Sequence, residues 1–252
     1  MEEVRRYSIG SLFAGIGGFE LGLERAIPGS YTSWQVEQNT FCQKVLSKHW
    51  PEARIYDDVR NITKNNVEQV DILCGGFPCQ DISTAGKGEG LNGKKSGLWW
   101  EFYRIINELQ PRAVIMENSP AINIRGLGAI LGALSQIGYD AEWSTISSAG
   151  AFGLPHKRDR WFAIAYPSGL RLQRSRRYIP PKHEEENTDW KAGKFIRAIQ
   201  GEALPFMCRA HNGIPFKLGE DMTRALGNAI VPQCSEWIGR KLWESGILQA
   251  RD

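Results

Sequence analysis

The sequence predicts an α/β fold with a doubly wound, mostly parallel sheet, and three observations carry that prediction. Apolar runs of strand length alternate with amphipathic stretches of helix length, the signature of βαβ units. Glycines follow the first apolar run at once, in "FAGIGG". Gly15, Glu37, Asp58, Cys79 and Glu117 all fall at or just after the ends of successive runs, the rim where such sheets hold their ligands. At 252 residues the chain is long enough for one main core with an appendage.

In chain order, "YSIGSLF" reads as a strand to Phe13, followed by a glycine turn and a helix. That helix carries Phe19, Leu23 and Ile27 at four-residue spacing, with the small Gly22 and Ala26 beside them, so one face can pack closely on a sheet. "YTSWQVE" suits a second strand, and "NTFCQKVLSKHW" a helix with Phe41, Val45 and Leu46 inward, stopped by Pro51. Asp58, in "YDDVRNI", sits where a third strand ends, and "VDILCGG" is a further apolar strand closed by glycines. "LWWEFYRIINEL" places Leu98, Phe102, Ile105 or Ile106, and Leu109 on one helical face, and "RAVIMEN" and "RWFAIAYP" are strands. The periodicity then fails. "SGLRLQRSRRYIPPKHEEENTDWKAGK" combines a basic run, a double proline and an acidic run, and reads as an inserted or loosely structured segment rather than sheet. "QCSEWIGRKLWESGIL" restores it as a closing helix with Cys234, Trp237, Ile238 and Leu242.

Composition narrows the function. Charged residues make up 23% and hydrophobic ones 42%, which argues against disorder over most of the length. The net charge of +3 permits an anionic partner without demanding one. The five cysteines are odd in number, form no C-x-x-C pair and have no clustered histidines, so neither a disulfide framework nor a metal site is expected. Nowhere do about eighteen apolar residues run together, and the first residues are acidic, so the expectation is a soluble, reduced, intracellular protein.

Individual motifs have chemical readings and plainer alternatives. "FAGIGG" is a turn so poor in side chains that a ligand can approach backbone amides at a helix N-terminus; the alternative is an ordinary tight turn. Counting from Gly15 gives Gly17 and then Glu20, so the third glycine of a dinucleotide fingerprint is missing. Glu37 stands where an acidic side chain accepts hydrogen bonds from a ribose, or is a solvated strand end. Asp58 is a ligand contact or a cap.

Cys42, Cys74 and Cys234 lie on apolar faces and suit buried fillers. Cys79, in "GGFPCQDIS", differs: Gly75, Gly76 and Pro78 take the chain out of the strand and leave the thiol at the rim as a candidate nucleophile. The glycine-rich stretch that follows carries Lys87, Lys94 and Lys95, which suits a lid over a polyanion or a plain surface loop. In "MENS", Glu117 faces the crevice or caps a helix. Arg158 and Arg160, in "PHKRDRW", are two apart at the start of an apolar strand and so share a face, suited to phosphate or carbonyl recognition or to an edge-strand charge pair. "LGNAIVPQ" puts Asn228 in a turn before the closing helix.

Taken in order, "FAGIGG", Glu37, Asp58, "GGFPCQDIS", "MENS", "PHKRDRW" and "LGNAIVP" closely resemble the successive motifs of the DNA (cytosine-5) methyltransferases of bacteria and phages. The resemblance covers the chain except roughly residues 167 to 205. It implies a Rossmann-like core over residues 1–166, a small target-recognition region over 167–221, and a C-terminal segment, 222–252, that completes the core. It implies S-adenosyl-L-methionine bound by Phe13, Ala14, Gly15, Gly17 and Gly18, with Glu37 on the ribose, Asp58 on the adenine amine, and Asn228 and Ala229 closing the site. Cys79 resembles the nucleophile that adds to carbon 6 of cytosine; Glu117 would hold or protonate ring N3, and Arg160 would bind the base carbonyl. The Phe77 carbonyl would accept from the exocyclic amine, and Pro78, Gln80, Ser83 and Arg158 fall on the substrate side.

The chemistry accounts for these residue types. Thiolate addition at carbon 6 makes carbon 5 enamine-like, and the base must leave the helical stack to be reached. Double-stranded DNA is the implied partner, with no membrane, a monomer by default, and room for a cognate restriction endonuclease in the same system. The implied location is the cytoplasm of a bacterial cell or phage-infected host. Three departures stand out: His156 where the family usually has Gln, Ser119 where Val is common, and Gln38 where a residue often packs on the adenine. The competing readings are an RNA (tRNA) cytosine-5 methyltransferase, a catalytically silent DNA-binding relative, and a nicotinamide oxidoreductase, the last weakened by the missing glycine.

Overall fold

The computed structural model describes residues 5–78, 97–147, 152, 158–170, 221, 225 and 228–249. Seven strands form one sheet: β1 (Tyr7–Leu12), β2 (Ser30–Val36), β3 (Arg54–Tyr56), β4 (Ile72–Gly76), β5 (Ala113–Asn118), β6 (Tyr139–Ser147) and β7 (Asp159–Pro167). Their order is β3-β2-β1-β4-β5-β7-β6. Pairing is parallel from β3 through β5 and antiparallel at β7 and β6. The order reverses at β1, between β2 and β4, and that switch point is where an open α/β sheet offers its crevice.

Among the described residues, six helices accompany the sheet: α1 (Gly18–Ala26), α2 (Thr40–His49), α3 (Leu98–Leu109), α4 (Ile122–Arg125), α5 (Leu127–Gln136) and α6 (Pro232–Glu244). The central strands read as continuous apolar runs because both faces are covered. Leu12, Leu73, Val114 and Met116 point to one side, where Trp99, Phe102, Ile105 and Ile106 of α3 and Leu134 of α5 complete a core. Ile9, Ile72, Cys74 and Ile115 point to the other, against Phe19 and Leu23 of α1 and Cys234, Ile238 and Leu242 of α6.

The closeness of α1 and α6 depends on small residues. A Cβ on Gly22 would collide with Ser235 Oγ, and one on Gly239 would sit 2.8 Å from the Ala26 Cβ. Ser235 Oγ instead donates to the Gly18 carbonyl at 2.7 Å. Residues more than two hundred positions apart thus meet directly behind the glycine turn.

Several expectations shift. In α2 the fully buried residues are Cys42 and Leu46, while Phe41 and Val45 are only half covered. In α3 the buried face also includes Trp99, whose indole packs on Phe77, while Leu98 is only partly buried against the same core. The antiparallel β6 gives no clear sequence signal, because it is an edge strand, wet along most of its length, and so lacks alternation; α5 is a further apolar helix that buries Ile130, Ala133 and Leu134. Among the described residues no helix is long and apolar enough to cross a membrane, and no group of three or more His, Cys, Asp or Glu could hold a metal ion.

Candidate active site

A cavity of about 540 Å³ opens at the carboxyl ends of the parallel strands. One half is built by the turn after β1 and the loop after β2. Phe13 holds a left-handed φ of 56°, a conformation that costs a non-glycine residue roughly 1–2 kcal/mol. The strain turns the chain so that the Ala14 N–H reaches the Val36 carbonyl at 3.0 Å. Gly15, with φ +58°, has open space where its side chain would be, and that space is the cavity.

Glu37 organises the rim. Its Oε2 accepts the Gly15 N–H at 2.8 Å and its Oε1 the Asn39 N–H at 2.7 Å. Its own N–H donates to the Tyr56 carbonyl at 2.9 Å, and its carbonyl accepts from Gln43 Nε2 at 2.6 Å. Asn39 in turn caps α2, accepting from the N–H groups of Phe41 and Cys42. Gln38 lines the same wall.

The other half is made by the ends of β4 and β5 and the start of β7. Arg160 Nε lies 2.9 Å from Glu117 Oε1, and Arg160 Nη1 donates to the Asp159 carbonyl at 2.8 Å. Burial pushes the Glu117 carboxyl up to about 7, against the opposing pull of the Arg160 and Arg158 charges. Arg158 Nη2 donates to the Ala229 carbonyl at 2.8 Å, tying the start of β7 to the segment before α6. Burial leads the causes that lower the Arg158 pKa, with the neighbouring Arg160 charge adding to it. Asn118, fully buried, donates from Nδ2 to the Phe77 carbonyl at 3.2 Å and fixes the exit from β4.

Phe13, Gly15, Glu37, Phe77, Pro78, Glu117, Arg158, Arg160 and Asn228 therefore line one cavity. Ala14, Gly17, Gly18, Asp58 and Ala229 are not among the residues that line it. Asp58 caps the short 3-10 turn at Val59–Asn61, accepting from the Arg60 N–H and pairing with its guanidinium at 2.9 Å. Burial opposes ionisation there, but the bonds from Arg60 hold the carboxyl below its ordinary value. Asn228 is helical rather than in a turn. Cys79, Gln80, Ser83 and His156 lie outside the described residues, although Phe77 and Pro78 lead directly to Cys79. Sequence reading missed Cys42, Leu98 and Ala225 as lining residues; apolar side chains on helices give no signal that one edge meets a cavity.

The Rossmann-like sheet thus carries a cavity at its switch point, with the Glu117–Arg160 pair on one wall and the Gly15–Glu37 turn on the other. The chain belongs to the C-5 cytosine-specific DNA methylase family, whose model matches residues 7–218. It is 35% identical over 163 residues to the type II methyltransferase M2.BsuMI of Bacillus subtilis (strain 168), covering 62% of this chain and 41% of that one. It is 30% identical over 181 residues to the type II methyltransferase M.HhaI of Haemophilus parahaemolyticus, covering 70% and 53%. The chain thus spans about half the length of the curated relatives it matches. The fold is shared with the Entamoeba histolytica methyltransferase EhMeth at a TM-score of 0.61 and 19% identity, over 71% of this chain and 57% of that one.

Proposed function

We propose that this chain is a DNA (cytosine-5) methyltransferase that uses S-adenosyl-L-methionine and acts on a cytosine flipped out of duplex DNA. The observation that carries the reading is the Glu117–Arg160 pair on the wall of a cavity whose opposite wall is the Gly15–Glu37 turn. The cofactor fits that turn: Gly15 is open toward the cavity, and each Glu37 oxygen, already accepting one backbone N–H, has a second lone pair for a ribose hydroxyl. Bound there, S-adenosyl-L-methionine supplies an electrophilic methyl group.

The chain's own residues supply the rest. The Cys79 thiolate adds to carbon 6 of cytosine, and electron density moves through carbon 5 and carbon 4 toward N3, which Glu117 protonates. Arg160 uses Nε to orient Glu117, and its guanidinium would bind the base carbonyl. The Phe77 carbonyl takes the exocyclic amine in addition to Asn118, since a carbonyl oxygen has two acceptor sites. After methylation, loss of the carbon 5 proton to a base restores the double bond and expels Cys79.

Residues 1–166 and 222–252 form the catalytic core in this reading, and 167–221 reads the target. Pro78, Gln80, Ser83 and Arg158 lie on the substrate side, and Asp58 and Asn228 with Ala229 on the cofactor side. The proposed setting is the cytoplasm of a bacterium or phage-infected host, with the chain a monomer and a cognate restriction endonuclease in the same system.

The test is nucleoside mass spectrometry of mixed-sequence duplex DNA after incubation with the protein and S-adenosyl-L-methionine, with Cys79→Ser and a tRNA substrate in parallel. 5-Methylcytosine in DNA from the unmodified protein alone is expected. Product from Cys79→Ser would overturn the mechanism, and product only in tRNA would overturn the substrate.

A further inference from the structure

The glycine turn of the site is gripped from two sides, and only one grip belongs to the cavity wall. Glu37, just before α2, holds the Gly15 N–H. At the opposite end of the same helix, the C-cap residue Trp50 lies under Gly17, so closely that a Cβ on Gly17 would collide with the indole ring. Gly17 is itself left-handed, with φ +89°, and forms the N-cap of α1 without any side-chain cap.

Trp50 is not placed there by packing alone. Its Nε1–H donates to both carboxylate oxygens of Glu24 at 3.1 Å. Glu24 Oε1 also accepts the Thr32 N–H at 2.9 Å and the Thr32 hydroxyl at 2.6 Å. One carboxylate therefore joins α1, β2 and the end of α2, and the indole it orients occupies the space that the missing Gly17 side chain leaves. A turn with two left-handed glycines has many conformations open to it. Bracing it from beneath lowers the ordering cost that a ligand on its upper side would otherwise meet.

We infer that Trp50, oriented by Glu24, is a positioning residue for the methyl donor: it preorganises the Gly15–Gly17 turn that receives the cofactor and touches neither the cofactor nor the base. The inference rests on the S-adenosyl-L-methionine reading above.

The experiment compares the full chain with Trp50→Leu, which removes the ring, and Trp50→Phe, which keeps a ring under Gly17 but loses the bond to Glu24. Calorimetric binding of S-adenosyl-L-methionine, steady-state kinetics and amide hydrogen exchange are read together. Trp50→Leu is expected to weaken cofactor binding and raise the cofactor KM by about tenfold, with kcat at saturating cofactor and the DNA KM changed by less than about twofold. Trp50→Phe falls between. The amides of Gly15 to Gly18 exchange faster in the cofactor-free Trp50→Leu protein than in its parent.

Unchanged cofactor affinity together with unchanged exchange would overturn the inference. So would an equal fall in kcat, DNA affinity and cofactor affinity, with exchange quickened throughout the sheet, since that is the pattern of general destabilisation. Should the parent chain bind no S-adenosyl-L-methionine, the functional reading fails, and the exchange comparison at Gly15 to Gly18 still decides whether Trp50 braces the turn.

Discussion

Arg160 Nε donates to Glu117 Oε1 at 2.9 Å across the antiparallel β5–β7 pair. The carboxyl is nevertheless held near 7, because burial raises it more than Arg160 and Arg158 lower it. An acid with a raised pKa is protonated below that value and loses its proton as the pH rises through it. If protonated Glu117 assists attack at carbon 6, single-turnover rates should decline above about pH 7. Glu117→Gln should abolish that limb and lower the rate by about a hundredfold. Arg160→Ala removes a charge that holds the pKa down, so its limb should move to higher pH. A pH–rate profile for each variant checks all three directions.

Ser235 and Gly22 set the spacing between α1 and α6. A Cβ at Gly22 would meet backbone as well as the Ser235 side chain, lying 2.5 Å from the Pro232 carbonyl and 2.6 Å from the Glu236 nitrogen. Neither can yield without moving α6. Gly22→Ala should therefore cost about 1–3 kcal/mol in urea unfolding, and Ser235→Ala, which deletes a buried hydrogen bond to Gly18, about 1 kcal/mol. Because Asn228 and Ala229 lie only a few residues before α6, Gly22→Ala should also weaken cofactor binding, measurable by calorimetry.

The parts of this site that could be read in the sequence are those where polarity interrupts an apolar run. Glu37, Glu117 and the glycines of the first turn stand out because a fully covered parallel strand has no other reason to end that way. Arg158 and Arg160 stand out by their two-residue spacing ahead of β7. The grip of Trp50 and Glu24 on Gly17 could not be read: their bond crosses 26 positions, and nothing local marks an indole at a helix C-cap and an acid on another helix as partners. Glu20 shows the same limit from the other side, since a carboxylate in the first turn of a helix ordinarily faces solvent, and here it is fully buried. The antiparallel turnover of the sheet was hidden because β6 buries too little to impose a pattern.

Glu20 makes a prediction about stability. It lies beneath β1 and β2, with Gln35 Nε2 donating to its Oε1 at 2.9 Å, while Gln35 Oε1 has no donor among the described residues. Desolvation raises its pKa from the ordinary 4.5, with Glu24 adding a smaller push; Gln35, Ser11 and its own backbone pull the other way. The folded state therefore keeps a proton that the unfolded chain releases. Stability attributable to this group is greatest below about 4.5 and falls as the pH rises toward the folded pKa. Glu20→Gln, neutral at every pH, should melt higher than the parent at pH 8 and show little advantage at pH 4. Paired thermal melts at the two values test the sign; an advantage confined to pH 4 would show that Glu20 is ionised in the fold.

Glu37 offers the sharpest separation of structure from chemistry on the cofactor side. Both of its oxygens accept backbone N–H groups, from Gly15 at 2.8 Å and Asn39 at 2.7 Å. A carboxylate can satisfy two such donors at once, whereas an amide has one acceptor and one donor end. Glu37→Gln therefore sets an NH₂ group against one of two fixed N–H groups and removes an acceptor that a ribose hydroxyl would use. The affinity for S-adenosyl-L-methionine should fall by about tenfold to a hundredfold. The core contacts of β2 are untouched, so the melting temperature should move by only a few degrees, on the order of 1 kcal/mol. A calorimetric titration beside a melt of the same sample decides the matter: cofactor affinity lost with stability kept is expected, and both kept would remove Glu37 from the binding site.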